Sequence, residues 1–287
     1  MSESAAPQPY VSPAPDREAG EGSPSSIDHC MLDTRVHALT LEQLRILMQI
    51  TIQNGERKIF TSHNLHSLYL HRQDDRLRAF YQKADYIRID GMSVVLIGRV
   101  LGLPLRREHR VTYVDWFPVF AAQAALCNWR VFYLGSRPGV AERAAARIRT
   151  QYPGLELGTL HGFFDPRRGS SENEQVIATI NAFRPHVLMV GMGMPRQQLW
   201  VLDNHERLCA NVISTSGAAL DYVAEEIPTP PRWAGRMGLE WLFRLGAEPG
   251  RLARRYLVEP WALVPGITAD FLARRIARYV PGSRRSE

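Results

Sequence analysis

Cysteine is scarce in this 287-residue chain, and Cys30, Cys127 and Cys209 stand far apart. That excludes a disulfide framework and a thiolate metal cluster, and it suits a reducing compartment. HExxH, CxxC and paired-histidine spacings are missing, so no protein metal site is expected. No D-x-D is present to hold a metal-bound diphosphate. No run of about 18 apolar residues occurs, so no transmembrane helix is expected. The N-terminus is acidic and proline-rich rather than basic and then apolar, which does not fit a signal peptide. There is no internal repeat.

What is present points to a substantial core with a basic end. Hydrophobic residues make up 45% of the chain, enough for one large α/β domain with appendages. Residues 1–28 are rich in Ser, Pro, Ala, Gly and Glu and lack the apolar surface to offset ordering, so they read as a disordered tail. From Pro228 arginine dominates. Eleven arginines face five acids there, an excess of six that equals the net charge of +6 of the whole chain. The basic surplus is thus a property of the tail, and it calls for an anionic partner.

Between these ends, strands and helices alternate. Helical spacing marks 40–56, capped by Thr40, then 65–72 and 75–83, with Asp74-Asp75 reading as a solvated cap. Short apolar strands lie at 59–61, 86–89, 130–134, 155–160, 186–190 and 211–214, with helices following most of them. Residues 106–115 read as a polar, basic connection. The order predicts an α/β fold, a mostly parallel Rossmann-like sheet flanked by helices. The expected division is a core over 29–227 and a basic helical appendage over 228–287.

Four strand ends carry the residues a ligand site needs: Ser62 with Asn64, Asp90-Gly91, Gly135-Ser136 and the Gly191–Pro195 stretch. Open α/β sheets bind ligands at such ends, where glycines admit a phosphate and the next helix offers free N–H groups. Taken singly each has a plainer reading, because Asp-Gly is a common turn and Asp a common helix cap. Neither YLGSRPG nor GMGMPRQQ fits a phosphate-loop or dinucleotide fingerprint.

Six ordered pieces carry a resemblance to a known family. They are SHN at 62–64, ADYIRIDGM with Asp90 26 residues after Asn64, VFYLGSRPGVAERAA, HGFFDP at 161–166, VGMGMPRQQLW at 190–200 and GLEWLFRLGAEPGRLARRYL at 238–257. Over roughly residues 35–257 the chain resembles the WecG/TagA/CpsF glycosyltransferases. The resemblance implies an inverting, metal-independent transfer from a UDP-sugar to a polyprenyl-diphosphate-linked acceptor. Asp90 would be the general base, with Asn64 and Ser62 beside it. Gly135, Ser136, Gly193 and Gln197 would meet the donor, and Asp221 would lie near the uracil. Arg244, Arg251 and Arg254 would neutralise the diphosphate leaving group. No cofactor is expected.

The chain departs from the family pattern at several positions. Ser62 replaces a threonine, Gln198 a glutamate, Tyr113-Val114 a Gly-Thr pair and Thr229 an arginine. The donor sugar therefore stays open beyond N-acetylmannosamine, the family's best-known choice. A nucleotide-sugar-binding module without catalysis is the competing functional class, and an NAD-linked enzyme is disfavoured by the missing fingerprint. His63, His66 and His161 read as loop or packing residues, and Asp115 as a helix cap. Trp233, Trp241, Phe243 and Trp261 fit either a core or a lipid interface. Arginines alternating with these aromatics suggest an amphipathic arm on an anionic membrane surface, at the inner face of a bacterial cytoplasmic membrane. A single-strand nucleic-acid platform is absent, so nucleic acid is not an expected partner, and a homo-oligomer is compatible with these bounds. Removal of 228–287 is expected to leave an intact α/β core.

Overall fold

A computed structural model describes residues 27–227, 234 and 240–279. The predicted N-terminal disorder falls almost wholly outside these residues, as do Trp233, Thr229 and the side chain of Arg251.

The first element is a hairpin that sequence patterning does not announce. Strand β1 (Asp28–Met31) pairs antiparallel with β2 (Thr34–His37). Its two-residue turn puts both Leu32 and Asp33 at positive φ, 51° and 62°. Such a turn normally recruits Asn-Gly or Asp-Gly. Here Leu32 is buried, and its N–H donates to Asp270 Oδ2 at 3.0 Å, from the far end of the chain.

The sheet order is β4 (Tyr86–Ile89), β3 (Lys58–His63), β8 (Val212–Thr215), β7 (Val187–Gly191), β5 (Arg130–Gly135), β6 (Glu156–Leu160). Its pairings are all parallel. Side chains alternate across it. Val131, Tyr133, Val187 and Met189 enter one core with helices α1 (Leu41–Gln53), α5 (Tyr113–Leu126), α6 (Val140–Gln151) and α9 (Ala219–Val223). Phe132, Leu134, Leu188 and Val190 enter the other, with α3 (Asp75–Lys83), α7 (Ser171–Phe183) and α8 (Arg196–Asn204). Burial on both faces is what continuous apolar strands of this kind require.

Capping follows the expected chemistry in places. Thr40 and Gln43 form a reciprocal capping box on α1, and Asp74 accepts from the Arg76 and Leu77 amides at the start of α3. Asp115 does not cap α5: Thr112 stands at the N-cap, and its hydroxyl donates to Asp115 Oδ2 at 2.7 Å. The region read as a plain connection contains a short 3₁₀ turn at Arg107–His109 before α5 starts at Tyr113.

A third cluster joins the hairpin to α2 (Leu65–His71) and α4 (Met92–Val100) through Met31, Leu32, Val36, Leu68, Val94 and Val95. Its remaining side comes from the end of the chain. After α10 (Glu240–Ala247) and α11 (Pro249–Leu257), helix α12 (Glu259–Tyr279) inserts Leu263, with Ile267 and Phe271 packed alongside. The last helix is therefore part of a core, while Trp261, Val264, Leu272 and Ile276 stay exposed on its other side. Among the described residues no helix is long and apolar enough to cross a membrane.

Candidate active site

The pairing of β3 with β4 explains why Asn64 and Asp90 belong together. The register aligns His63 with Ile89, so the chain leaves both strands at one level. The Asp90 amide donates to the His63 carbonyl at 2.8 Å, carrying the pairing one step beyond the strands. Gly91 then takes φ 126°, a conformation that favours glycine, and α4 begins. On the other side β3 pairs with β8. The hydroxyls of Thr61 and Thr215 meet at 2.7 Å, which brings Ser62 alongside Ser216.

Asn64 has a structural task as well. It caps α2, its Oδ1 accepting from the Ser67 amide at 3.0 Å while its own amide donates to Ser67 Oγ at 2.8 Å. Its side-chain NH2 is what remains for a ligand. His63 is packing rather than chemistry, as anticipated. It is fully buried, bonded to Thr34 and Ser67 at 2.9 Å each, stacked on Tyr81, and its basicity is pushed well down by burial.

A cavity of about 390 Å³ opens over these strand ends. Ser62, Asn64, Asp90, Gly193, Gln197, Arg244 and Arg254 all line it, seven residues singled out from sequence and drawn from opposite ends of the chain. Arg244 is supplied by α10 and Arg254 by α11. Sequence reasoning did not single out Arg88, Arg255 or Glu259, which also face this space, and it read His66 as a loop or packing residue, whereas His66 lies in α2 and lines the cavity. Arg88 is buried in β4 and donates to the Val111 carbonyl. Burial lowers the pKa values of Arg88 and Arg255, and the Asp90 carboxylate counters that in both. A charged residue inside an apolar strand, YIRI, was the available signal for Arg88. No local pattern signals the His66–Glu259 pair, in which Nδ1 lies 2.6 Å from Oε2 across 193 residues and ties α2 to α12.

A second chamber of about 360 Å³ adjoins the first, sharing Gly193, Gly217 and Ala218. Ser136 and Asp221 line it with Arg137, Arg196 and Glu248. Ser136 sits at φ 59° and bonds Tyr133 Oη at 3.0 Å. Burial raises the pKa of the Asp221 carboxyl above the ordinary aspartate value, and a hydrogen bond with Ser136 offsets part of that. Gln197 connects the chambers: its Oε1 accepts from the Gly217 amide at 3.2 Å and holds the loop after β8. Gly135 lines neither chamber. A Cβ there would meet the Gly191 carbonyl oxygen at 2.3 Å, so its glycine serves the close approach of β5 and β7.

Polar atoms without protein partners gather here. Tyr113 Oη, Gln198 Oε1, Ser216 Oγ and Arg244 Nε are enclosed, unpartnered, and belong to residues lining the larger cavity. Arg196 Nε, beside the second chamber, is a fifth. Folded proteins rarely leave such groups unpaired. Among the described residues no group of three His, Cys, Asp or Glu side chains is placed to hold a metal ion.

The sequence profile of the glycosyl transferase WecG/TagA/CpsF family matches residues 29–277. The chain belongs to this family. Similar curated proteins come from Staphylococcus aureus, strains NCTC 8325, COL and MRSA252, each named N-acetylglucosaminyldiphosphoundecaprenol N-acetyl-beta-D-mannosaminyltransferase. Each is 28% identical over 172 residues, 60% of this chain and 65% of the relative. The chain thus spans just under two thirds of the length of these relatives. The family match extends past α11 into α12, so Leu263, Ile267 and Phe271, which complete the third core cluster, lie within the matched region.

Proposed function

We propose that the protein is an inverting, metal-independent glycosyltransferase. It moves a sugar from a UDP-sugar to a polyprenyl-diphosphate-linked saccharide during bacterial surface or exopolysaccharide synthesis. The observation that carries this reading is the single cavity in which Asp90, at a strand end, meets Arg244, Arg254 and Arg255 from the C-terminal helices. A carboxylate base opposite a cluster of cations is the arrangement such a displacement needs.

Asp90 removes the proton from the acceptor hydroxyl as its oxygen attacks the anomeric carbon. The bond from that carbon to the diphosphate breaks, and UDP departs with the electron pair. Attack from the face opposite the leaving group inverts the anomeric centre. Arg244, Arg254 and Arg255 meet the charge that grows on the diphosphate, with Arg251 assigned the same role by the family motif. Ser136 and Asp221 receive the nucleoside in the second chamber, and Asn64 orients the acceptor.

A lipid-linked acceptor requires the site at a membrane surface. Trp241, Phe243, Leu257 and Trp261 are exposed around the helices that supply the arginines. These aromatics are therefore not core, and they suit a headgroup layer on the inner leaflet. Incubation of the full chain with UDP-sugars and a polyprenyl-diphosphate saccharide in excess EDTA tests the proposal. UDP release that needs both substrates supports it. Binding without release points to a module that has lost catalysis, and activity restored only by magnesium or manganese overturns the metal-free account.

A further inference from the structure

Along α10, Trp241, Leu242 and Phe243 are exposed, while Arg244 is half-buried and lines the larger cavity. The guanidinium carbon of Arg244 lies over the ring of Tyr222, 5.8 Å from its centroid. Tyr222 is a half-buried residue of α9 and lines the same cavity. The negative face of an aromatic ring attracts a cation at this distance, and more strongly where water is partly excluded. Arg244 has a reason to need such a hold. Burial lowers the pKa of Arg255, on α11, and the charge of Arg244 adds to that lowering, so the two cations act on each other. Like charges in one cavity repel. A carboxylate partner would steady Arg244 but cancel its charge. A ring face attracts it and leaves the charge to act on an anion.

The elements that carry this pair border both chambers. Tyr222 lines the larger cavity, and Asp221 beside it lines the second chamber. Arg244 lines the larger cavity, and Glu248, whose amide donates to the Arg244 carbonyl at 3.0 Å, lines the second. A UDP-sugar with its nucleoside in the second chamber and its ring in the first passes its diphosphate across that boundary. Resting on the glycosyltransferase reading above, we infer that Tyr222 is a positioning residue whose ring face holds the Arg244 guanidinium toward the departing diphosphate. It acts through the arginine, and its hydroxyl has no part in the role.

Initial rates are measured on the full chain with a polyprenyl-diphosphate saccharide. UDP-N-acetylmannosamine, UDP-N-acetylglucosamine, UDP-glucose and UDP-galactose are offered to the parent, and the donor it uses is carried forward. Tyr222→Leu should lower kcat by about five- to thirtyfold. The donor KM should stay within about threefold, because the charge that Arg244 meets grows on the way to the transition state. Tyr222→Phe keeps the ring and should stay within about twofold of the parent. Combining Tyr222→Leu with Arg244→Ala should be no slower than Arg244→Ala alone, within about twofold, since the ring has nothing left to hold. Fluorinated phenylalanines at position 222 keep the ring's shape and drain charge from its face, so they separate this role from a loss of packing. Along the mono-, di- and trifluoro series kcat should fall stepwise. A flat fluorine series, equal losses for Tyr222→Phe and Tyr222→Leu, or losses that multiply in the double variant would each overturn the positioning role. A parent that releases no UDP with any of the four donors would overturn the glycosyltransferase reading itself, and the positioning role with it.

Discussion

Replacing Leu263 by alanine should weaken the whole fold, although the residue lies in the arginine-rich tail that sequence reading treats as a removable appendage. Leu263 is 1% exposed and closes a cluster containing Met31, Leu32, Leu68 and Val94. Truncating a fully buried leucine costs about 3 kcal/mol. For a chain of this size that lowers the thermal midpoint by roughly 6–12 °C. Leu272, on the same helix but 51% exposed, is the control, and its alanine variant should stay within about 0.5 kcal/mol of the parent. Urea titrations followed by far-ultraviolet circular dichroism measure both. Ending the chain at residue 227 should keep the six-stranded sheet, because the two cores on its faces contain no tail residue. The third cluster would be left open, and the Asp270 carboxylate that accepts from Leu32 would be lost. The truncated core is therefore expected to keep its secondary structure but to melt lower. Equal stabilities for the Leu263→Ala and Leu272→Ala variants would refute the anchoring of α12.

Asp90→Asn should reduce turnover by about 10²–10⁴ while UDP binding persists, and near-normal turnover in a rate assay would remove Asp90 from the mechanism. Arg244→Ala should lower kcat by about 10²–10³ and change sedimentation with anionic liposomes little, since one surface charge contributes only about 1 kcal/mol there. Chelation with EDTA should leave the rate unchanged, and a loss restored by magnesium would sink the arginine-based account of the leaving group. Burial lowers the pKa of His71 to about 4. The unfolded chain takes up that proton near 6.5, so stability from this site is complete above that value and falls as pH drops from about 6.5 to 4. The loss should be about 3 kcal/mol by urea titration at each pH, and it should vanish in His71→Asn.

Much of this architecture was legible because its signals are local. Apolar strands separated by amphipathic helices specify a parallel sheet, and parallel strands place their polar ends on one edge. Asn64 and Asp90 are neighbours because β3 and β4 are paired in register, which a strand–helix–strand pattern already implies. The cap at Thr40 and the turn at Gly91 likewise depend on a few adjacent residues. The tertiary structure decided what depends on distant partners. The Leu32-Asp33 turn lacks turn-forming residues and is held by burial of Leu32 and by Asp270, 238 residues away. Tail arginines reach the cavity over Asp90 because apolar contacts seat α12 against α2 and α4 and the Glu259–His66 pair ties it to α2. Gly135 resembles a ligand contact in sequence, and the close approach of the paired strand at Gly191 is a reason for its glycine that only the fold supplies. Arg88, Asp90, Arg244 and Arg254 face one cavity only in the folded chain, because a cavity is defined by its surroundings and not by neighbours in the sequence.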